Sequence, residues 1–309
     1  MKNVIYINSG EFGYEVLACQ GYLRRIKKEE NFDNFYVCSY PGRSLLYRDF
    51  ADKFIPMPKS IASKINPTTN RSQGFPEFNN LVAHLKAEKI IDDTFEIRSS
   101  HQSNLIDYKL DETGEQADYI DFEPSEEAKR KVKELLGDKK YVVVFPRSHK
   151  SHVPYRCYEE KRWVRFLDGI LQDDPDIHLV ICGFGMLKDY QGDRIVNLTE
   201  WFANPIVCSD ENNLDYQVEI LKNAVAAIYD CSGAVFFGAL CKTPVFFFCG
   251  KNWLEPDGSN RWFTFTKGIL GAINKKLSFV FPKDADVNSL PETELLSHFL
   301  EFKTTQNLY

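Results

Sequence analysis

Between residues 139 and 250, short apolar runs alternate with amphipathic stretches long enough to be helices. The runs YVVVF (141–145), IHLVICG (177–183), VAAIYD (225–230) and PVFFFCG (244–250) are separated by YEEKRWVRFLDGILQDD, LDYQVEILKNA and the segment following DCSGAV. Continuous apolar runs, rather than alternating ones, suit strands buried on both faces, and strands separated by helices pair in parallel. The pattern restricts this half of the chain to an α/β unit, a parallel sheet with helices on both faces.

The other half opens in the same way. KNVIYINSGEFGYEVLACQGYLRRIKKEENFDNFYVCSY predicts a strand over 3–8, a Gly-rich turn, a helix near 14–28 and a strand near 34–39. Val16, Leu17, Leu23 and Ile26 recur at near-helical spacing, and Arg24, Arg25, Lys27 and Lys28 sit where cations complement the helix dipole. EFNNLVAHLKAEK reads as a helix, and TFEIRSS and ADYIDF as short strands. EPSEEAKRKVKELLGDKK reads as a helix with a Ser cap, an acidic first turn and a Gly stop. The expected fold class is therefore α/β with two Rossmann-like domains, residues 1–125 and 126–309.

A net charge of −6 argues against a protein whose main task is to coat nucleic acid. No run reaches the length of a membrane span, and the first residues lack the pattern of a signal peptide, so the expected location is cytoplasmic. The eight cysteines contain no C-x-x-C pair, and several lie inside apolar runs, as buried thiols in a reducing compartment do. His149 and His152 have no Cys, His or Asp cluster to complete a metal site, and none is expected.

In open α/β sheets ligands bind at the carboxyl ends of the strands. Four polar segments fall there, namely NSGEFGYE, FPRSHKSHVPYR, CGFGMLK and YDCSG. Arg147 and Lys150 follow one strand, and Asp230, Ser232 and Gly233 lead from another into a helix, a set suited to a diphosphate. The plainer reading of Asp-Cys-Ser-Gly is a capping turn, and of the two cations, surface charge. Gly183, Gly185 and Met186 are candidates for a nucleoside slot, where a Gly backbone allows close approach and Met adapts. Gly10 and Gly13 let the first strand turn tightly into its helix, and that turn carries Glu11 and Glu15. Either carboxylate suits a general base, and equally suits dipole compensation at a helix start. Neither G-x-x-x-x-G-K-[ST] nor G-x-S-x-G is present.

The segment DCSGAVFFGALCKTPVFFFCG resembles the diphosphate-binding region of the ADP-heptose heptosyltransferases, glycosyltransferase family 9. Ser232, Gly233 and Pro244 match its Asp-Ser-Gly-x-x-His…Pro pattern; Phe236 stands where the family has His, and Cys231 is inserted. VFPRSHKSHVPYRCYEEKRW is similar to the family's polar loop before a Trp-containing helix, with Lys150 or Lys161 as its basic residue and Trp163 as marker. SGEFGYEVL is similar to the Gly-Asp opening, with Gly13 and Glu15 matching, Tyr14 extra and Glu11 a rival. The resemblance covers the first 30 residues and about 140–250. It implies the GT-B plan, two Rossmann-like domains facing across a cleft. It also implies an inverting, metal-independent transfer from a nucleotide-diphosphate sugar to an acceptor hydroxyl, with no resident cofactor. The acceptor would be a glycan, or a hydroxymethylated base in phage DNA entering past Arg24, Arg25, Lys27 and Lys28. Glu15 ranks above Glu11 as the base. The alternatives are a sugar-nucleotide epimerase and a non-catalytic nucleotide-sugar-binding protein.

Overall fold

A computed structural model describes residues 2–10, 12–65, 76–99, 118–147, 157–182, 186–199, 213–230, 232–250, 271, 273–280 and 286–308. The chain divides into two compact units, Met1–Ile120 with Asp210–Leu214, and Asp121–Ser209 with Asp215–Tyr309.

Unit 1 holds a parallel sheet of β1 (Asn3–Ile7), β2 (Asn34–Ser39), β3 (Lys53–Pro56) and β4 (Phe95–Ser99), in the order β3-β2-β1-β4. All five residues of β1 are buried, as its unbroken apolar run requires of a central strand. The chain leaves β1 toward β2 and β3, then returns to pair β4 on the other side of β1, with Ile7 opposite Ser99. The order therefore reverses beside β1, and the crevice of this sheet lies at the carboxyl ends of β1 and β4. Pro56 ends β3 at the sheet edge, where a missing N–H is tolerated.

The helix expected near 14–28 is two pieces. Glu15–Cys19 is a fully buried π-helical turn, followed by α1 (Gln20–Glu29). A π turn takes one more residue than an α turn, which gives the additional Tyr14 a place without rotating the apolar face of α1 out of the core. The strand expected at ADYIDF is absent over the described residues 118–122. Its polar groups go elsewhere: the Asp118 N–H donates to the Gly21 carbonyl, and the Tyr119 hydroxyl donates to the Leu17 carbonyl at 2.5 Å.

Unit 2 carries a six-stranded parallel sheet in the order β10-β9-β8-β5-β6-β7. The strands are β5 (Tyr141–Phe145), β6 (His178–Ile181), β7 (Ile195–Asn197), β8 (Ala226–Tyr229), β9 (Val245–Phe248) and β10 (Leu277–Val280). β7 and β10 are short, and no clear apolar run announces either. After α2 of unit 1 (Pro76–Ala87), α3 (Glu126–Leu136) leads into β5, with Ser125 accepting from the Ala128 N–H, glutamates in its first turn and Gly137 at φ 62° ending it. α4 (Glu160–Asp173), α5 (Asn213–Lys222), α6 (Val235–Leu240) and α7 (Glu292–Thr305) complete the described framework. Alternate residues of β9 face opposite sides: Phe246 packs against Phe166, Phe299 and Phe302, whereas Phe247 meets Phe279.

α6 is apolar all round and buried at every residue, as a helix that packs on both sides must be. It begins at Val235, not at Ser232. The Ser232 carbonyl accepts from Val235 and the Gly233 carbonyl from Phe236, so Ser232–Ala234 form a tight turn ahead of the helix. A Cβ on Gly238 would lie 2.4 Å from the hydroxyl of Tyr229, whose buried ring stacks on Phe145 at 4.8 Å. Gly238→Ala is therefore expected to destabilise unit 2 by about 1–3 kcal/mol, overriding the usual helical gain of about 1 kcal/mol, as chemical denaturation will read.

Candidate functional site

In unit 2 the strand order reverses between β5 and β8, neighbours in register with Phe145 opposite Tyr229. The two polar segments at their carboxyl ends, Arg147 and Asp230–Gly233, are thus brought to one crevice. Asp230 is fully buried, and its Oδ1 accepts the backbone N–H of Arg147 at 2.9 Å. It ties the two strand ends together and has no exposed surface to offer a ligand. Burial pushes its pKa up to about 7, against the pull of the Tyr158 and Arg147 amides, the Arg147 charge and the Trp163 indole. Among the polar residues of this crevice Arg147, Ser232 and Gly233 are half-buried. The Ser232 N–H is committed to the Asp230 carbonyl and the Ala234 N–H to the Ser232 hydroxyl, so among the described residues the Gly233 N–H is the amide of this turn left without an acceptor.

Met186 is 2 % exposed and belongs to the core that contains Trp163, so its side chain does not line a nucleoside slot. Gly183, Gly185, Lys150 and Glu11 lie outside the described residues. Asp174-Pro175-Asp176 and Asp284-Ala285-Asp286 are Asp-x-Asp triplets, whose carboxylates are hard-cation ligands by type. In the first, Asp174 follows α4 and precedes β6, at the amino end of the sheet, and its Oδ2 binds Lys303 at 2.9 Å. Part of the second lies outside the described residues.

In unit 1, Gly10 occupies the turn after β1 and donates its N–H to Asn8 Oδ1 at 3.0 Å. Gly13 belongs to the first helical residues instead, Phe12–Tyr14. Glu15 is fully buried. Its Oε1 accepts from Ser39 Oγ at 2.6 Å and from the Tyr47 hydroxyl, and Arg43 Nη1 donates to Oε2. Tyr47 also contacts Asn8 and Cys19, and burial first, then Cys19 and Glu15, raises its pKa well above that of a free phenol. Tyr47 thus stays protonated as a donor to Glu15. Ser39, Arg43 and Tyr47 had no motif to mark them in the sequence. The sign that was present is Tyr40-Pro41-Gly42-Arg43, whose Pro and Gly at φ 86° suit a type II turn at the end of β2.

The basic run of α1 is neutralised. Arg24 binds Asp49 through two nitrogens, Arg25 binds Glu29, Lys27 binds Asp52 and Lys28 binds Asp118. Arg24 is itself 2 % exposed. A phosphate meeting this run would therefore compete with a carboxylate already beside each cation.

No protein-family model and no curated protein matches the sequence. Solved structures do match the fold. A family 9 glycosyltransferase from Veillonella parvula superposes with a TM-score of 0.62 at 12% identity, covering 99% of this chain and 98% of that one. The E. coli ADP-heptose lipopolysaccharide heptosyltransferase II gives 0.59 at 12% identity, covering 99% and 100%. The fold is that of the family 9 glycosyltransferases. A further E. coli heptosyltransferase, solved with ADP, gives 0.56 at 11% identity over 97% and 99%. In this chain both reversal points carry the polar segments described above, one at each sheet's carboxyl edge. Among the described residues no helix is long and apolar enough to cross a membrane.

Proposed function

We propose that this protein is a glycosyltransferase that moves a sugar from a nucleotide-diphosphate donor to an acceptor hydroxyl, with inversion and without a metal. The observation that carries this reading is the crevice between β5 and β8, where Asp230 fastens the Arg147 backbone beside the Ser232–Gly233 turn. A half-buried Arg and an unclaimed amide at such a point suit the oxygens of a diphosphate, and they stabilise the charge that grows as it departs. Lys150 joins them in this assignment. ADP heads the candidate donors, since one E. coli heptosyltransferase of the same fold was solved both with ADP and with an ADP-linked fluoroheptose.

On the acceptor side the burial of Glu15 counts against it as the base, and we assign the role to its rival in the sequence, Glu11. A base must reach the acceptor hydroxyl directly or through one water, and Glu15 has no exposed surface and both oxygens engaged. Glu11 follows Gly10 directly in the sequence and takes the role. The acceptor we assign is a glycan, the compartment is the cytoplasm, and the buried thiols Cys19, Cys38, Cys157, Cys182, Cys241 and Cys249, none in a disulfide, suit that reducing compartment.

The test is a thermal-shift screen against ADP, GDP, UDP and CMP. One nucleoside diphosphate is expected to raise the melting temperature by mass action. Arg147→Ala is expected to weaken that ligand by about 1.5–3 kcal/mol, the worth of a charge-assisted hydrogen bond. Absence of any shift with all four nucleotides overturns the donor assignment.

A further inference from the structure

We propose that Glu15 is a positioning residue, whose buried carboxylate holds the Arg43 guanidinium at the carboxyl edge of unit 1 so that Arg43 grips an oxygen of the sugar acceptor. The proposal rests on the transferase reading for the word acceptor, and on the following geometry for the rest.

Arg43 follows β2 through the Pro41-Gly42 turn, one strand from the reversal point beside β1. Its guanidinium lies 4.4 Å from the centre of the Tyr40 ring and 5.4 Å from that of Phe12. The rings fix the plane of the group, and the Tyr40 hydroxyl is in turn anchored on the Ser9 carbonyl at 3.1 Å. Nη1 is committed to Glu15, and among the described residues the other N–H groups of Arg43 meet no acceptor. The side chain keeps 16% of its surface, whereas that of Glu15 keeps none.

This arrangement is a poor way to gain stability. Burying a carboxylate beside a guanidinium costs much of what their attraction returns, and an apolar pair of the same volume commonly does as well. The arrangement does give direction. A guanidinium has five donors in a rigid fork, so with one donor fixed inward and the plane held by two rings, the remaining edge points where ligands enter sheets of this kind. Ser39 and Tyr47 hold the carboxylate from the other side. Hydroxyl and carboxylate oxygens of a sugar are both acceptors for that edge.

The experiment follows the Arg43 side-chain Nε–H signal by NMR, assigned with Arg43→Lys, in the full chain. The probes are methyl glucoside, which offers hydroxyls alone, and methyl glucuronide, which adds a carboxylate. Wild type is expected to show a saturable shift with at least one probe, and the stronger of the two identifies the oxygen recognised. Glu15→Gln is expected to weaken that binding about ten- to hundredfold, the range of a charge-assisted contact. Tyr47→Phe removes one of the hydrogen bonds that hold the same carboxylate and leaves the Glu15–Arg43 pair in place, and is expected to weaken probe binding less than Glu15→Gln does. Arg43→Met tests the group directly if Glu15→Gln folds poorly, and the double variant is expected to bind no more weakly than Arg43→Met alone. Unchanged probe affinity in Glu15→Gln, equal losses in Tyr47→Phe and Glu15→Gln, or no saturable shift in wild type overturns the proposal. Nucleotide-induced thermal shifts report on unit 2 independently, so failure here is distinguishable from failure of the transferase reading.

Discussion

Glu11→Gln is expected to lower turnover by ~10²–10⁴-fold, the usual contribution of a general base, while the nucleotide-induced thermal shift stays as in wild type. The substitution keeps size and hydrogen-bonding reach and removes only the proton acceptor. Turnover is read as release of nucleotide from the sugar donor, in single-turnover as well as steady-state form, so that a change in chemistry separates from a change in release. Glu15→Gln is expected to behave differently. It lowers stability, because it leaves the Arg43 charge facing an amide in a buried setting, and its catalytic loss is smaller. A fully active Glu11→Gln beside a dead Glu15→Gln would return the base to Glu15. Two fully active variants would place no base in this turn and reject the mechanism.

The second large effect concerns Asp230 and pH. Its carboxyl is wholly buried and titrates at about 7, against 3.8 for a free one. Below the unfolded value the group is protonated in both states and its burial is harmless. Between about 4 and 7 the unfolded chain ionises it while the folded chain holds the proton. The folded state then binds more protons, so stability falls as pH rises. Above 7 the loss is complete, and about three pKa units correspond to about 4 kcal/mol. Asp230→Asn lacks this titration. The difference in unfolding free energy, wild type minus Asp230→Asn, is therefore expected to fall from pH 4 to pH 7 and to level off above. A flat difference across that range would show that Asp230 is an ordinary carboxylate. The same variant is expected to weaken nucleotide binding above pH 7, because a neutral amide holds the Arg147 N–H less firmly than a carboxylate.

Much of the fold was legible because it rests on local periodicity. YVVVF, VAAIYD and PVFFFCG are apolar without alternation, and they became the central strands β5, β8 and β9. Ser125 and Gly137 bound a helix by capping chemistry that acts over three or four residues. Where β structure is short or at an edge, as in β7 and β10, the signal is too brief to separate from a loop. ADYIDF alternates as a strand does, yet Asp118 and Tyr119 spend their polar groups on the π turn and α1 instead of on a neighbouring strand.

The site divides along the same line. By itself the sequence determined that Arg147 and Asp230–Gly233 end two strands and that Glu11 and Glu15 flank a strand-to-helix turn, since chain order and apolar period suffice for that. Only the tertiary structure decided that β5 and β8 are neighbours, which turns two separated motifs into one crevice. It also decided that Asp230 is a buried tie rather than a ligand contact, and that the basic run of α1 is already paired. The two glutamates show the reason most plainly. Four positions apart at one helix start, they are chemically equivalent in the sequence. The burial of Glu15 comes from Ser39, Arg43 and Tyr47, which are 24, 28 and 32 residues away. Which oxygen a carboxylate shows to solvent is set by whatever packs over it, and those groups arrive by long-range pairing of strands that no local pattern encodes.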